Sequence, residues 1–317
     1  MIRKLFKISS YVIDVFLGKV KYLFTWPYYR MRSSWFVWNY LLNKEGRLLH
    51  KLDSPSLSDV QRRIVKDLKS NGFSVTHIDE IFPNINLWNE LDLHVKKIIS
   101  EGDIEVKKGK SFLIELWEAV PVLNLAHPFV RLGLNEDVLR IVSGYLGMWS
   151  KLSLLSLHMT IPTTNEDNPV KSQRWHRDPE DKIMCKMFLY LNDVDENSGP
   201  FMYVEGSHYG GKWRNLAPQR PPKGYYPPLG LVERRVPLKD IKTFTGRAGT
   251  IIFCDTSGLH KGGHAKSGKR IMFTAGYNSK ASNKPVIYRY GREFENELEE
   301  LSPIIKYAVK DNKFQEI

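Results

Sequence analysis

From about residue 150 onward, short runs of β-forming residues alternate with clusters of turn residues, and this pattern restricts the possible folds more than any other feature. Such spacing favours a β-sandwich or barrel over a parallel sheet of alternating strands and helices. The stretch Pro218–Gly230 is rich in Pro, Gly and Tyr, so we expect a long loop over one end of the sheets. The predicted strands are Leu152–Ile161, Met184–Leu191, Phe201–Val204, Gly249–Cys254 and Ile271–Tyr277.

Helical signals dominate the chain before residue 150. Ser58 and Gln61 have the spacing of a capping box at the start of a helix, and Asn71-Gly72 has the composition of a helix end. The predicted helices are 58–71, 85–100 and 135–146, and Gly72–Ile78 is a predicted strand. The whole pattern indicates an α+β protein.

The positive charge is concentrated at the N-terminus. The formal net charge is +12, and residues 1–51 contain ten Lys or Arg against only Asp14 and Glu45. The remainder is mildly basic, so we do not predict a nucleic-acid-binding protein. The two cysteines, Cys185 and Cys254, lie in predicted strands and do not indicate a disulfide framework. A reducing, cytoplasmic compartment is expected.

The first 24 residues have apolar side chains at helical spacing, among them Leu5, Ile8 and Val12. Charged residues interrupt this run before it reaches the length of a membrane span, and no signal-peptide cleavage pattern follows. Two interpretations remain open. The helix packs on the body of the protein, or residues 1–40, with their tryptophans and tyrosines, contact a membrane surface.

The sequence Trp175-His176-Arg177-Asp178 contains the sharpest local signal for chemistry. In extended backbone, residues two apart project to the same side, so His176 and Asp178 can reach one metal ion. An open site needs a third ligand from elsewhere, and two histidines with one carboxylate are typical of non-haem Fe(II) oxygenases.

A second predicted strand ends at a histidine. The run from Ile251 leads into a turn that ends at His260, and Arg270 follows ten residues later, at the start of the next strand. A 2-oxo acid can chelate iron through its keto-acid end, while its distal carboxylate needs a fixed cation. Arginine binds a carboxylate through a planar pair of donors, so Arg270 is the candidate.

Four segments occur in an order that resembles the phytanoyl-CoA dioxygenase family, a branch of the 2-oxoglutarate oxygenases. They are WHRDPEDK (175–182), FLYLNDVDENSGPFMYVEGSH (188–208), AGTIIFCDTSGLHKGG (248–263) and KRIMF (269–273). The resemblance covers residues 72–280 and implies a double-stranded β-helix, or jelly-roll, core. On this basis we divide the chain into a basic helical extension (1–55), an oxygenase domain with supporting helices (56–285) and a C-terminal helical tail (286–317).

The resemblance implies that His176, Asp178 and His260 bind Fe(II) and that Arg270 pairs with 2-oxoglutarate, with O₂ as the oxidant. Halogenating relatives replace the carboxylate ligand with a small residue, so Asp178 implies hydroxylation. His264 competes with His260 for the third ligand position. We prefer His260, because it directly ends the strand and Gly262-Gly263 would carry His264 into a turn.

Lys186 alternates with Phe188 and Tyr190 on one face of a predicted strand. A lysine on an interior face needs an anionic partner. We consider three partners, namely 2-oxoglutarate, the substrate and a structural carboxylate, and include Lys186 among the cofactor-binding candidates. His158 and His208 are expected to be structural, and Trp175 either walls the pocket or packs beside it.

The substrate is not identified by these residues beyond a small or lipid-like molecule. Lys261, Lys266 and Lys269 crowd the expected mouth of the site, which would favour an anionic substrate. The aromatic loop that contains Trp213, Tyr225 and Tyr226 is a candidate lid. The alternative function is an inactive metal-binding jelly roll or a membrane-peripheral scaffold.

Overall fold

The computed structural model describes residues 25–53, 56–83, 86–101, 105–106, 110–118, 120–163, 169–219, 224–283, 287–310 and 313–316. The amphipathic helix that we predict over the first 24 residues lies outside the described residues. Residues 220–223 of the predicted Pro/Gly-rich loop also lie outside them.

The described strands form three sheets. The largest has seven strands, in the spatial order β1 (Phe73–His77), β9 (Thr250–Cys254), β6 (Cys185–Tyr190), β11 (Arg270–Asn278), β5 (Lys151–Thr160), β3 (Leu113–Glu115) and β2 (Glu105–Val106). A second sheet contains β10 (His260–Gly262), β7 (Phe201–Val204) and β8 (Ile241–Phe244). Every pairing in these two sheets is antiparallel, which separates the fold from a parallel α/β sheet.

The third sheet is small and joins β4 (Val122–Leu123), β12 (Ile287–Tyr290) and β13 (Lys313–Glu316) in parallel. The C-terminal segment is therefore not only helical, because β12 and β13 flank its helices. This differs from the helical tail that the sequence predicts for residues 286–317.

Alternation along β6 places its two faces in two different cores. Phe188 and Tyr190 pack with Phe201 and Tyr203 of β7 in a cluster between the two larger sheets. Met187 and its neighbours on the other face pack against the helices in the main core. This is the alternation predicted from sequence, and it leaves Lys186 on the face that looks toward the smaller sheet.

The described α-helices are α1 (25–32), α2 (Lys44–Leu52), α3 (Asp59–Asn71), α4 (Ile78–Ile81), α5 (Leu87–Glu101), α6 (Pro128–Gly133), α7 (Glu136–Leu146), α8 (Leu231–Arg235), α9 (Arg292–Glu300) and α10 (Pro303–Val309), with a π-helical segment at Val37–Leu42. Helices α3, α5, α6, α7 and α10 share the main core with the seven-stranded sheet, whereas α8 packs with residues of the smaller sheet. The capping box predicted at α3 is confirmed, because Ser58 and Gln61 bond to each other's backbone amides. Gly72 ends the helix with a φ of 87°, a left-handed value that favours glycine.

The N-terminal segment 25–53 packs on the body of the protein. Trp38 is 2% exposed, and its indole N–H donates to Asp181 Oδ1 over 2.6 Å. Asn43 donates to Ser279, and the Trp149 amide donates to the Gly46 carbonyl. Within the described residues, no helix is both long enough and apolar enough to span a membrane.

Candidate metal centre

Two histidines lie side by side because their backbones are paired. His176 N donates to His260 O over 2.9 Å, and His260 N donates back to His176 O over 3.0 Å. Asp178 N donates to Thr256 O over 3.0 Å, so the pairing continues along the segment. Residues 176–178 are thus held against the turn before β10, although more than 75 residues separate the two segments in sequence.

This pairing gathers three potential ligand atoms. One side-chain atom from each of His176, Asp178 and His260 lies within 4.8 Å of the other two, and all three residues are buried or nearly so. His176 Nε2 is 3.8 Å from Asp178 Oδ1, and His260 Nε2 is 3.6 Å from Asp178 Oδ2. The geometry is that of a small group converging on one point, which suits a metal ion with two nitrogen ligands and one oxygen ligand.

The two imidazoles are oriented in the same way. His176 Nδ1 is 2.8 Å from the Arg174 carbonyl, and His260 Nδ1 is 3.0 Å from the Gly258 carbonyl. A carbonyl can only accept, so each Nδ1 carries the proton and each Nε2 offers its lone pair. Burial lowers the pKa of His176, and it lowers the pKa of His260 to about 3. Both rings are therefore neutral at physiological pH, as metal binding requires.

The carboxylate has a cationic partner. Lys186 Nζ donates to Asp178 Oδ2 over 2.5 Å. Burial by itself would raise the pKa of Asp178, but Lys186 and the two histidines hold that pKa well below its usual range. Asp178 is consequently ionised at any pH near neutrality, and Lys186 stays protonated because Asp178 raises the lysine's pKa against the effect of burial.

The triad opens into a cavity of about 210 Å³ between the two larger sheets. Arg270 also lines this cavity, as do Lys110 and His158. The Arg270 guanidinium is buried and donates to the Gly199 carbonyl and, over 3.2 Å, to Thr160 Oγ1. Its Nε has no hydrogen-bond partner among the residues that the structure describes. A buried cation with an unused donor is a place where an anionic group can bind.

His264 does not join the group. Its Nε2 is 3.1 Å from the Thr163 carbonyl, its Nδ1 is 3.3 Å from Gln173 Nε2, and it does not line the cavity. The turn after β10 carries it away, because Gly263 N bonds to the Pro200 carbonyl. His208 is buried next to Lys69 O and lies outside the cavity. His158 does line it, 3.6 Å from Glu115.

Sequence reasoning missed the role of Arg177. Since neighbours in extended backbone point to opposite sides, Arg177 projects away from the two ligand residues that flank it. Arg177 is 3% exposed, and its guanidinium donates to backbone carbonyls at distances of up to 3.4 Å. The acceptors are Ala217, Ser207, Ser257, Trp213, Arg214 and Leu216. The alternation alone indicates this arrangement, because a residue between two ligands that point into the site points to the opposite side of the segment.

On that opposite side lies the loop between β7 and β8. Arg177 binds carbonyls of this loop between residues 207 and 217. Gln219 Nε2 donates to the carbonyls of Asp178 and, over 3.0 Å, Asp181. Farther along, Tyr226 stacks on the His176 ring, with centroids 5.5 Å apart. The loop that we considered as a lid therefore covers one side of the ligand segment.

The lysines expected at the mouth of the site lie elsewhere. None of Lys261, Lys266 and Lys269 lines the cavity. Lys261 Nζ sits 4.8 Å from the centre of the Trp175 ring, and the Trp175 indole N–H donates to Glu233. The lysines that do line the cavity are Lys110 and Lys186.

Comparisons with known proteins give fold similarity only. No protein-family model matches the chain, and no curated protein matches it. Among solved structures, the epimerase SnoN in complex with Fe³⁺, alpha ketoglutarate and nogalamycin RO has a TM-score of 0.50 at 15% identity, covering 69% of this chain and 83% of SnoN. At that identity the likeness shows that the two proteins share a fold.

Two further structures score lower. HygX from Streptomyces hygroscopicus, with nickel, 2-oxoglutarate and hygromycin B bound, has a TM-score of 0.45 at 17% identity, covering 68% of this chain and 86% of HygX. EctD from S. alaskensis, with 2-oxoglutarate and 5-hydroxyectoine, has a TM-score of 0.45 at 17% identity, and the match covers 71% of this chain and 79% of EctD.

Proposed function

We propose that this chain is an Fe(II)- and 2-oxoglutarate-dependent oxygenase that hydroxylates a small molecule. In this proposal His176, Asp178 and His260 bind the iron, and Arg270 binds the distal carboxylate of 2-oxoglutarate. The observation that carries it is the convergence of the three ligand atoms in a cavity that Arg270 also lines. SnoN, which shares the fold, was crystallised with Fe³⁺ and alpha ketoglutarate.

The residues fit both groups. Two neutral imidazoles and one ionised carboxylate form the donor set that non-haem iron takes when it must keep open positions. Arg270 Nε is a buried donor without a partner among the described residues, so a carboxylate would satisfy it. When bound, iron and 2-oxoglutarate supply the oxidation of a substrate C–H bond by O₂, with 2-oxoglutarate converted to succinate and CO₂.

The chain's own residues prepare the site for this chemistry. The carbonyls of Arg174 and Gly258 fix the histidine rings, so the ligand geometry exists before the metal arrives. Burial between the two sheets excludes water, and Tyr226 covers His176. Lys186 takes up Asp178 Oδ2, which leaves Oδ1 as the oxygen offered to the metal.

The substrate extends beyond the cavity in this proposal. A volume of about 210 Å³ is below the roughly 300–1,000 Å³ of typical ligand pockets. The cavity would therefore hold 2-oxoglutarate and only the reacting end of the substrate. Lys110, whose Nζ donates to Ser172 Oγ over 3.2 Å, and Lys186, which is paired with Asp178, both line the cavity and add positive charge to it.

Two finer assignments belong to the same proposal. The four ordered motifs support membership of the phytanoyl-CoA dioxygenase family, and the two facing antiparallel sheets support a jelly-roll core. We also retain the division at residues 55 and 285, with the qualification that segment 25–53 contributes Trp38 to the main core.

The direct test is succinate formation from 2-oxoglutarate with Fe(II), O₂ and ascorbate. We expect wild-type protein to convert 2-oxoglutarate slowly without a substrate, and a metal chelator to stop it. The Arg270→Gln variant removes the cation that the carboxylate needs, so the KM for 2-oxoglutarate should rise about 10- to 100-fold. If the wild type neither retains iron nor forms succinate, the protein is an inactive jelly roll and the proposal fails.

A second test concerns Lys186. The Lys186→Met variant loses the partner of Asp178 Oδ2, and we expect Fe(II) affinity or turnover to fall about 10- to 100-fold, as for other groups that hold a metal ligand in place. The matched control is Lys261→Met, because Lys261 follows His260 in sequence but its Nζ lies over the Trp175 ring. Metal titration and thermal melting separate a binding defect from misfolding. Equal metal affinity in the two variants would contradict this role.

A further inference from the structure

The helical segment 36–52 carries five large apolar side chains in contact with solvent. They are Phe36, Tyr40, Leu41, Leu48 and Leu52, which we call the outer face. Phe36 is 62% exposed and Leu52 is 74% exposed. Residues four apart lie on the same side of a helix, and the Phe36 and Tyr40 ring centroids are 5.6 Å apart. Exposed apolar side chains grouped in this way mark interaction sites.

The opposite side of the segment is fixed to the protein. Trp38 is buried and hydrogen-bonded to Asp181, three residues after the metal-ligand candidate Asp178. The Asn43 side chain bonds to Ser279 Oγ and the Ala281 amide. These inward contacts fix the segment's rotation about its axis, so the outer face is held toward solvent.

Most charges near the outer face are positive. Residues 25–53 contain five Lys or Arg and two acidic residues, Glu45 and Asp53. Asp53 Oδ2 lies 3.8 Å from Arg140 Nη1. Glu45 is already neutralised, because its carboxylate lies 2.8 Å from Lys280 Nζ and 3.5 Å from Lys310 Nζ. Lys44 and Lys51 are exposed. The segment therefore presents apolar side chains with an excess of positive charge.

Arginines on this segment also stack on aromatic rings. The guanidinium carbon of Arg47 is 4.6 Å from the Tyr40 ring centroid, and that of Arg30 is 5.2 Å from the Trp26 ring centroid. Aromatic rings with basic neighbours are the residues that settle at the headgroup level of a bilayer, while Leu and Phe enter the acyl boundary.

We propose that the outer face, with Lys44, Arg47 and Lys51, binds an anionic lipid bilayer. Apolar side chains and cations without free carboxylates complement a surface that is hydrocarbon below and phosphate above. A second copy of the chain is a poorer occupant, since pairing the same face would bring like charges together. In sequence, residues 1–24 add five Lys or Arg against one Asp to the positive charge of the N-terminal part of the chain.

The test is co-sedimentation of the full chain with phosphatidylcholine vesicles, with and without phosphatidylserine. We expect binding that requires phosphatidylserine and weakens with salt. The triple variant Lys44→Gln, Arg47→Gln, Lys51→Gln should bind about 100-fold more weakly, because each cation near an anionic surface contributes about five-fold. The triple variant Phe36→Gln, Leu41→Gln, Leu48→Gln should also lose binding.

The matched control replaces three exposed leucines elsewhere, Leu93→Gln, Leu229→Gln and Leu238→Gln, and should bind as the wild type does. Melting curves check that all variants fold. The proposal is overturned if wild-type binding to vesicles does not depend on phosphatidylserine, or if the outer-face variants bind as strongly as the control. If the wild type self-associates in solution and the triple variant at Phe36, Leu41 and Leu48 does not, the outer face would be assigned to a second copy instead.

Discussion

The His260→Ala variant is expected to lose metal binding and succinate formation, while His264→Ala keeps both. His260 Nε2 lies 3.6 Å from Asp178 Oδ2 and belongs to the three-atom group, whereas both ring nitrogens of His264 face Thr163 and Gln173. Removing a ligand should cost more than removing a group that only orients one, so we expect a loss of more than about 100-fold.

The His264→Ala variant makes this a comparison within one turn of the chain. Both changes remove an imidazole, and the two positions are four residues apart. Metal content after dialysis against Fe(II) or Mn(II), measured together with succinate formation, gives two independent readouts. If His260→Ala retains metal and His264→Ala loses it, the third ligand is His264 and not His260.

The Arg177→Met variant is expected to be among the most destabilised single replacements in the chain. The guanidinium donates to six backbone carbonyls from three segments, and no carboxylate is among its bonded partners in the described residues. Removing it leaves buried acceptors without donors, and hydrogen bonds to charged groups are worth about 1.5–3 kcal/mol each. Allowing for relaxation, we expect a loss of about 4 kcal/mol in the free energy of unfolding.

Arg177 also acts on the site through the backbone. Its donors tie Ser207 and Ser257 to the segment that holds His176 and Asp178, so surviving folded protein should bind metal more weakly. Urea unfolding and metal titration measure the two effects separately. The matched control is Arg214→Met, which changes an exposed arginine in the loop between β7 and β8. Equal stability of the two variants would show that the carbonyls find other donors, most simply water.

Several features were set by local sequence. The capping box of Ser58 and Gln61 and the left-handed Gly72 involve residues close together in the chain, so their spacing alone predicts where α3 begins and ends. The period of two likewise placed His176 and Asp178 on one side and put Lys186 on the face of Phe188. Backbone sterics and hydrogen bonding decide these features without distant partners.

The choice between His260 and His264 depended on the tertiary structure. Only the pairing of residue 176 with residue 260 selects the histidine that meets Asp178, and that pairing joins segments far apart in sequence. The partners of Arg177 and Lys186 also depend on the tertiary structure. The loop between β7 and β8 brings carbonyls to Arg177, and the packing of the two sheets brings Asp178 to Lys186.

The sequence by itself therefore determined the ends of α3, the two faces of β6 and the residue types available for metal binding. The tertiary structure decided which of these side chains meet, which cations are already paired, and that the outer face of residues 36–52 is left toward solvent. The physical reason is range. Periodicity and capping depend on neighbours within one or two turns, whereas a buried donor or charge is satisfied by whichever distant group the packed chain brings to it.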